Sequence, residues 1–402
     1  MNHDNANPSA SDARVSDLLA PWTYQSEEFL ALERARLFKR QWLLAGHVSD
    51  LPAPRDYLTF DAVGERALVL RDGDGVLRAF HNVCRHRGAK LLDRDRGRCP
   101  KLLTCPFHGW SYRLDGALAK VPAAETFDRL DFAEHGLAPL AMEIWMGFIF
   151  IRFVGDGESL AQRMKPVERL LAPYQLERMQ PLAGTRVGQT RGYNWKTIHD
   201  IDNEGYHVPV GHPALQQLYG DDYRDDSIDG VSVSFGYLNQ RAGALWSVRH
   251  YHRILPDFAH LPTEQRRLWL YVGIFPSMVL ALYPDSMEFY MSLPLAVEST
   301  RYLGGAYALP DSNRAARAAR YLGRRINREA DREDEAFMRQ LYQGMKSSAF
   351  PTPHLSSIEH GVRDFHRKIQ RALPVAHLAD APPPGCVAQV NARMNATAAN
   401  ES

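Results

Sequence analysis

Two cysteine and histidine pairs stand in one stretch of the chain, NVCRHRGAKLLDRDRGRCPKLLTCPFHGWSY, from Asn82 to Tyr112. Cys84 and His86 have one residue between them, Cys105 and His108 have two, and 18 residues separate His86 from Cys105. Each pair offers one sulfur and one imidazole. A structural zinc site more often takes two cysteines from one knuckle and two histidines from a helix, so mixed pairs ask for a centre that draws both donor types from each of two facing loops. Cys99 lies between the pairs without a histidine beside it and reads as a small thiol in the packing or at the surface.

A second group of donors lies in NWKTIHDIDNEGYHVPVGHP, Asn194 to Pro213. His207 and His212 are five positions apart, which does not put two side chains on one face of a regular helix. Pro209 between them is expected to disturb the helix and bring both rings to one point. The spacing alone fits two satisfied core or surface histidines at least as well. Farther on, YLGRRINREADREDEAFMRQLYQGM carries an apolar stripe at helical spacing through Leu322, Ile326, Ala330, Phe337, Leu341 and Met345, with Asp334 inside it and Glu333 at its edge. A carboxylate turned toward a core is costly unless it is paired or bound to metal, so Asp334 asks for a cation, and the pattern alone leaves Glu333 open as well.

Such donors need rigid elements to hold them, and the chain is long enough for two domains. DYLTF, RALVLRD and LRAFHNV are short, β-branched or aromatic, and divided by Gly64 and by DGDG. With WSYRLDGALA and MEIWMGFIFIRF they predict a small antiparallel β-domain over residues 37–155. A helical run near 194–218, long strands between 230 and 307, and a charged helix from about Ser312 to Met345 predict an α+β domain over 156–376. Residues 1–36 are read as a segment associated with that second domain. After Leu373 the chain turns to PVAHLADAPPPGC and then to Ala, Asn and Thr, so 377–402, with Cys386, is predicted to be a disordered tail.

Lysine and arginine number 48 against 47 acidic residues, and the net charge of +1 predicts no global attraction to nucleic acid or an anionic membrane. The N-terminus lacks the basic region and apolar core of a secretory signal, and the most apolar stretches are interrupted by Glu143 or by Pro276, Pro284 and Asp285. A cytoplasmic protein is expected. Four cysteines in a chain of this size then point to thiols used as thiols or as ligands rather than to a disulfide framework. His199 and Asp202 are read as structural or solvent-exposed, and the arginines at 314, 317, 320, 324 and 328 as a solvated basic stripe away from the buried helix face.

With FHNV ahead of the first pair, CRHRGAKLL and CPFHGWSY resemble the cluster-binding loops of Rieske non-haem iron oxygenases, and the resemblance spans about Tyr24 to Leu373. A Rieske [2Fe-2S] centre takes two thiolates on one iron and two imidazoles on the other. The resemblance implies that Cys84 and Cys105 hold one iron, that His86 and His108 hold the other, and that Gly88 and Gly109 allow the tight turns. The second stretch is similar to the mononuclear-iron motif of the same family, which makes His207 and His212 ligands. The family ligates with the second member of an acidic pair ten residues before a glycine followed by leucine or methionine, which selects Asp334 ahead of Gly344 and Met345. Two imidazoles and one carboxylate on one face of Fe(II) leave positions for O2 and substrate. Glu204 matches a carboxylate that bonds His207 of its own chain and His108 of the next. Glutamate at this position resembles the branch that oxidises quaternary amines such as carnitine and glycine betaine, whereas many aromatic-ring dioxygenases have aspartate. Gly205 and Val208, commonly cysteine in the amine branch, and Ile201, frequently asparagine, depart from the pattern.

The implied protein is a terminal oxygenase (alpha) subunit, similar to ring-hydroxylating dioxygenases and to carnitine and betaine oxygenases. It would combine a Rieske β-sandwich with an α+β catalytic domain of the helix-grip kind, whose curved antiparallel sheet cradles the iron. It would activate O2 to hydroxylate an aromatic or other small organic substrate. The alternatives are oxidative demethylation or monooxygenation of a quaternary or N-methylated amine and, in another class, an electron-transfer Rieske protein without oxygenase activity. No G-x-G-x-x-G fingerprint is visible, so electrons are expected from a separate NAD(P)H-dependent reductase, directly or through a ferredoxin. A homotrimer, or a trimer with a small beta subunit, is implied, with neither nucleic acid nor membrane as partner.

Overall fold

The computed structural model describes residues 16–241, 243–310, 313–350 and 353–401. Asp56–Ala62, Glu65–Arg71 and Leu77–His81 pair antiparallel in sequence, and Arg96–Arg98 joins the free edge of the first. Val63 and Gly64, with φ of 47° and 86°, form the two-residue connection that matches the right-handed twist of a hairpin. The strand Glu65–Arg71 is covered on both faces, which explains its unbroken apolar run. Leu68 and Leu70 enter a core shared with Cys84, Cys105, Trp110 and Tyr112, while Ala67 and Val69 enter the main core of the molecule. A second small sheet, Leu103–Thr104, Ser111–Tyr112 and Leu118–Lys120, carries the other cysteine loop. A third joins Leu43–His47 to Phe148–Arg152 and Ala141–Trp145 and is packed into the main core through Phe148, Ile149, Phe150 and Ile151.

The second half is an antiparallel meander wrapped by helices. Strand β1 (Val187–Arg191) is followed by helices α1 (Trp195–Asp202), α2 (Val208–Gly211) and α3 (Pro213–Tyr219). Strands β2 (Tyr223–Ile228), β3 (Val231–Tyr237), β4 (Leu268–Ile274), β5 (Met278–Tyr283), β6 (Ser286–Ala296) and β7 (Ser299–Ala308) then pair in sequence order, and β1 returns to pair with β7. One face of this sheet presents Tyr271, Tyr283, Glu288, Tyr290 and Tyr302 to a cavity. Helix α4 (Arg314–Gly344) begins where the Asn313 side chain accepts the Ala316 N–H at 2.8 Å. Its inner ridge runs Leu322, Ile326, Ala330, Asp334, Met338 and Tyr342, so Asp334 is the one carboxylate in an otherwise apolar i, i+4 row. No helix among the described residues is long and apolar enough to cross a membrane.

Three readings of the sequence differ from the structure. The segment 377–402 is not a disordered tail over its described part: Val387–Glu401 is helical. The Glu28 carboxylate accepts the N–H groups of Gly385 and Val387 at the start of that helix, and Val387 and Asn391 are buried. The arginine stripe of α4 is not wholly solvated, because Arg320 is buried 3.3 Å from Asp285 and Arg324 lies 3.2 Å from Glu288. Pro209 does not break a helix; it sits in the first turn of α2, and the break falls at His212, which Pro213 holds out of helical geometry at φ −127° and ψ 80°. Of the two readings given for His199 and Asp202, structural or solvent-exposed, His199 takes the structural one, buried with its Nε2 2.7 Å from Ser292 Oγ, while Asp202 lines the cavity. Residues 1–15 and Ser312, the predicted helix start, lie outside the described residues.

Candidate active site

The two cysteine loops share one backbone design. The Cys84 N–H donates to Ala89 O and the Gly88 N–H to Cys84 O, at 2.8 and 3.0 Å. The Cys105 N–H donates to Trp110 O and the Gly109 N–H to Cys105 O, at 2.8 and 3.1 Å. Gly88 and Gly109 have φ of 78° and 76°, a region other residues rarely adopt, which is what such tight loops require. The loops bring the four donors together. Both thiols are buried, and the His86 and His108 rings lie 4.7 Å apart, His86 stacked on Trp110 at 4.9 Å. Burial pushes the Cys84 thiol up, and Cys105 adds to the rise, so two neighbouring thiols in this place resist ionising together without a cation. The Tyr112 hydroxyl lies 3.2 Å from Cys84 Sγ and accepts the Arg85 N–H at 3.0 Å, which leaves its own proton free to point at the sulfur. Two buried sulfurs beside two adjacent imidazoles fit a [2Fe-2S] centre and do not form a tetrahedral knuckle from one loop.

The second set forms where α1 ends. The N-cap of α1 is Asn194, whose side chain accepts the Lys196 N–H, and the helix is anchored by Trp195 and Lys196 donating to the buried Glu33 at 3.1 and 2.7 Å. The chain then turns through Glu204 into the short α2. Gly211 allows this turn to approach α4, since a Cβ there would meet the Phe337 ring at 2.9 Å. His207 Nε2 and His212 Nε2 end 3.0 Å apart, with Asp334 Oδ1 at 3.6 and 2.9 Å from them. The opposite nitrogens are also committed. Glu204 Oε1 lies 2.5 Å from His207 Nδ1, and Glu333 Oε2 lies 2.8 Å from His212 Nδ1. A carboxylate can only accept, so both Nδ1 atoms carry protons, and in the singly protonated rings both Nε2 lone pairs face Asp334 Oδ1.

Three acceptors aimed at one point repel one another unless a cation stands among them. The energetics agree. Burial alone would lower His207, yet Asp334 and Glu204 push it up to about 10, so without a metal a second proton on this ring supplies the positive charge. Burial alone would raise Asp334, yet the two imidazoles hold it below its ordinary value. The site demands positive charge, and its donors fit the two-histidine, one-carboxylate set of non-haem iron. A cavity of 710 Å³ opens beside it, lined by Asp202, Tyr271, Tyr290 and Tyr302 among others.

All eight predicted site residues thus fall into two groups: Cys84, His86, Cys105 and His108 in one, and His207, His212, Asp334 and Glu204 in the other. The sequence missed what Glu333 does, which only the spatial placement of His212 reveals. Asp202, read as structural or solvent-exposed, lines the cavity, a placement that the sequence pattern does not display.

The fold and these two donor sets define a two-centre metalloprotein with an iron-sulfur domain ahead of a mononuclear site. A Rieske [2Fe-2S] domain model matches residues 41–136, and a ring hydroxylating alpha subunit (catalytic domain) model matches residues 174–374. The chain belongs to the ring-hydroxylating alpha subunit family, whose catalytic domain binds mononuclear iron. It is 32% identical over 192 residues to the glycine betaine monooxygenase oxygenase subunit of Chromohalobacter salexigens, covering 48% of this chain and 42% of that protein. It is 32% identical over 216 residues to the carnitine monooxygenase oxygenase subunit of Acinetobacter pittii, covering 53% and 58%. The alignments therefore span about half the length of these relatives. In fold it is similar to a quaternary ammonium Rieske monooxygenase, with a TM-score of 0.75 at 23% identity over 90% of this chain and 97% of that one.

Proposed function

We propose that this chain is the terminal oxygenase component of a Rieske non-haem iron system and that it oxidises an N-methylated amine. Cys84 and Cys105, with His86 and His108, hold the [2Fe-2S] centre; His207, His212 and Asp334 hold the mononuclear iron. The observation that carries the reading is the convergence of two imidazoles and one carboxylate beside a cavity, with both far nitrogens of the imidazoles anchored by carboxylates. An electron-transfer protein has no use for that second site. When bound, the two centres supply one-electron transfer and activation of O2. The net reaction places one oxygen atom of O2 in a substrate C–H bond and reduces the other to water, consuming two electrons and two protons.

The chain's own residues prepare this chemistry. Glu204 and Glu333 fix the tautomers of His207 and His212 and keep both Nε2 lone pairs directed at the metal. Tyrosine rings on β4 to β7 wall the cavity and exclude bulk water from the reacting bond. His108 and Phe107 are exposed on the cluster loop, and Tyr206 and Val210 are exposed on the turn that carries Glu204. A neighbouring copy covers both patches and brings its His108 to Glu204, so that electrons cross between subunits of a trimer. The reductant is a separate NAD(P)H-dependent reductase, and the setting is the cytoplasm. The names of the relatives, a glycine betaine and a carnitine monooxygenase, favour an amine over an aromatic ring as substrate.

Metal and acid-labile sulfide analysis tests the assignment: about three irons and two sulfides per chain are expected, whereas two and two would leave only electron transfer, and zinc alone would exclude both. Substrate-dependent O2 uptake with a surrogate reductase, across aromatic acids and N-methylated amines, tests the substrate class.

A further inference from the structure

Asp202 ends α1 five residues before His207, and it lines the same cavity as the three metal-binding groups. Its Oδ2 is buried and has no hydrogen-bond partner. The cations around it are committed elsewhere or carry no charge. Arg191 donates to Asp331 at 2.6 Å, lies 3.3 Å from Glu335, and rests its guanidinium 3.9 Å from the centre of the Tyr302 ring. His199 Nδ1 is 3.8 Å away, but burial lowers that imidazole to about 4, so it is neutral at physiological pH. His207 faces Glu204 and Asp334. The other carboxylates of the cavity are spoken for as well: Glu204 holds a histidine ring, Asp334 faces both histidines, Glu288 is paired with Arg324 and Asn327, and Asp331 and Glu335 are paired with Arg191. Among these acids Asp202 keeps one buried oxygen without a partner, and the residue lines the space a substrate would fill.

The walls suit one class of ligand. Tyr290 and Tyr302 lie 5.8 Å apart at an interplanar angle of 23°, and the Tyr290 hydroxyl is close enough to act on the Asp202 carboxyl. Tyr271 and Tyr283 continue the aromatic lining. Burial, with the charge of Asp334, pushes the Asp202 carboxyl well above its ordinary value, so a cation beside it is what favours its charged form; ring faces attract an organic ammonium as well, whereas a carboxylate-bearing ligand would set like charges together. A neutral ligand would leave the buried oxygen unpaired, which is costly.

We propose that Asp202 is the counter-charge for the ammonium head of the substrate, with the tyrosine rings receiving its alkyl groups, and that this residue sets the preference for a cation over a neutral molecule of the same shape. The proposal rests on the oxygenase reading for the use of the cavity, but its test needs no turnover. Isothermal titration of the metal-loaded protein with choline and with its neutral carbon isostere, 3,3-dimethylbutan-1-ol, reads the preference directly. Choline is expected to bind at least about tenfold tighter. Asp202→Asn is expected to weaken choline about 10- to 100-fold and the alcohol less than about threefold, with iron content and the visible spectrum of the cluster unchanged. Asp202→Glu, which keeps the charge, is expected to recover part of the choline affinity. Equal binding of choline and the alcohol by the unaltered protein overturns the proposal whatever the variants do, as does tighter binding of benzoate than of choline. Metal and sulfide analysis on the same samples reports separately on the oxygenase reading, so the two fail by different measurements.

Discussion

Glu333 Oε2 lies 2.8 Å from Nδ1 of His212, while Oδ1 of the next residue, Asp334, lies 2.9 Å from Nε2 of the same ring. Adjacent acids on one helix therefore take opposite nitrogens of one imidazole. The division follows from helix geometry: successive side chains point about 100° apart, so one reaches into the ridge that faces the metal point and the other reaches around the ring. In the proposed site the pair of neighbours is a ligand and its ligand's anchor.

Replacing these two acids should separate the roles. Asp334→Ala is expected to lose one of about three irons per chain and keep the cluster spectrum. Glu333→Gln is expected to keep the iron but weaken its affinity about 10- to 100-fold, because the amide oxygen still accepts the Nδ1 proton without the negative charge. Iron content after dialysis against a graded chelator reads both.

At the cluster, His86→Cys or His108→Cys should permit assembly, since thiolate is a competent ligand, but should lower the midpoint potential by roughly hundreds of millivolts by adding negative charge. Redox titration followed by electron paramagnetic resonance checks this, and turnover with the natural reductase should fall away in both variants.

Asp50 joins the two halves of the chain. Its carboxylate accepts from Arg96 at 2.9 and 3.2 Å, from Arg186 at 2.6 Å, and from the Tyr307 hydroxyl at 3.4 Å. The carboxylate is wholly buried, but the guanidinium groups are 35% and 46% exposed and rehydrate when it is removed. Asp50→Asn should therefore cost about 2 kcal/mol, less than the loss of a fully buried pair. Burial works to raise this carboxyl, and the bonds from Arg96 with the charge of Arg186 hold it below its ordinary value. A group lowered in the folded state stabilises above its unfolded pKa of about 3.8 and loses that contribution as the pH falls through its folded value. The stability gap to the variant, read from urea midpoints, should be flat from pH 5 to 8 and should close below about pH 4.

A Cβ on Gly205 would meet the Tyr223 ring at 2.1 Å, and its N–H donates to Asp225 at 2.7 Å. Gly205→Ala must displace a half-buried ring next to the His207 turn. It is expected to cost about 1–3 kcal/mol and to reduce iron affinity, both readable by thermal unfolding of the apo and iron-loaded protein.

The cluster loops were legible because their ligands, their glycines and their hydrogen bonds all lie within six residues of one another. His207, His212 and Asp334 were legible as types, but the break that joins the histidines was assigned to Pro209 and belongs to Pro213. The arginines of α4 were misread for a different reason: a row of charges looks solvated unless its partners are known, and Asp285 and Glu288 sit on and beside a strand about 35 residues away. The last helix was invisible because its start depends on Glu28, more than 350 residues earlier. Asp202 belongs to the same class, since its meaning lies in the absence of a partner, which no sequence pattern displays.

Single-turnover oxidation of the pre-reduced cluster, with substrate and O2 present, tests the whole account most directly by comparing the unaltered protein with Glu204→Gln. Glutamine keeps the shape and the two metals but not the charge that holds the Nδ1 proton of His207 and, in the proposed trimer, a proton of the neighbouring copy's His108. The account predicts prompt cluster oxidation in the unaltered protein and oxidation slowed at least about 100-fold in the variant, a difference of nearly 3 kcal/mol in the barrier. Cluster oxidation at the same rate in both would mean that electrons reach the mononuclear site by another route, and would contradict it.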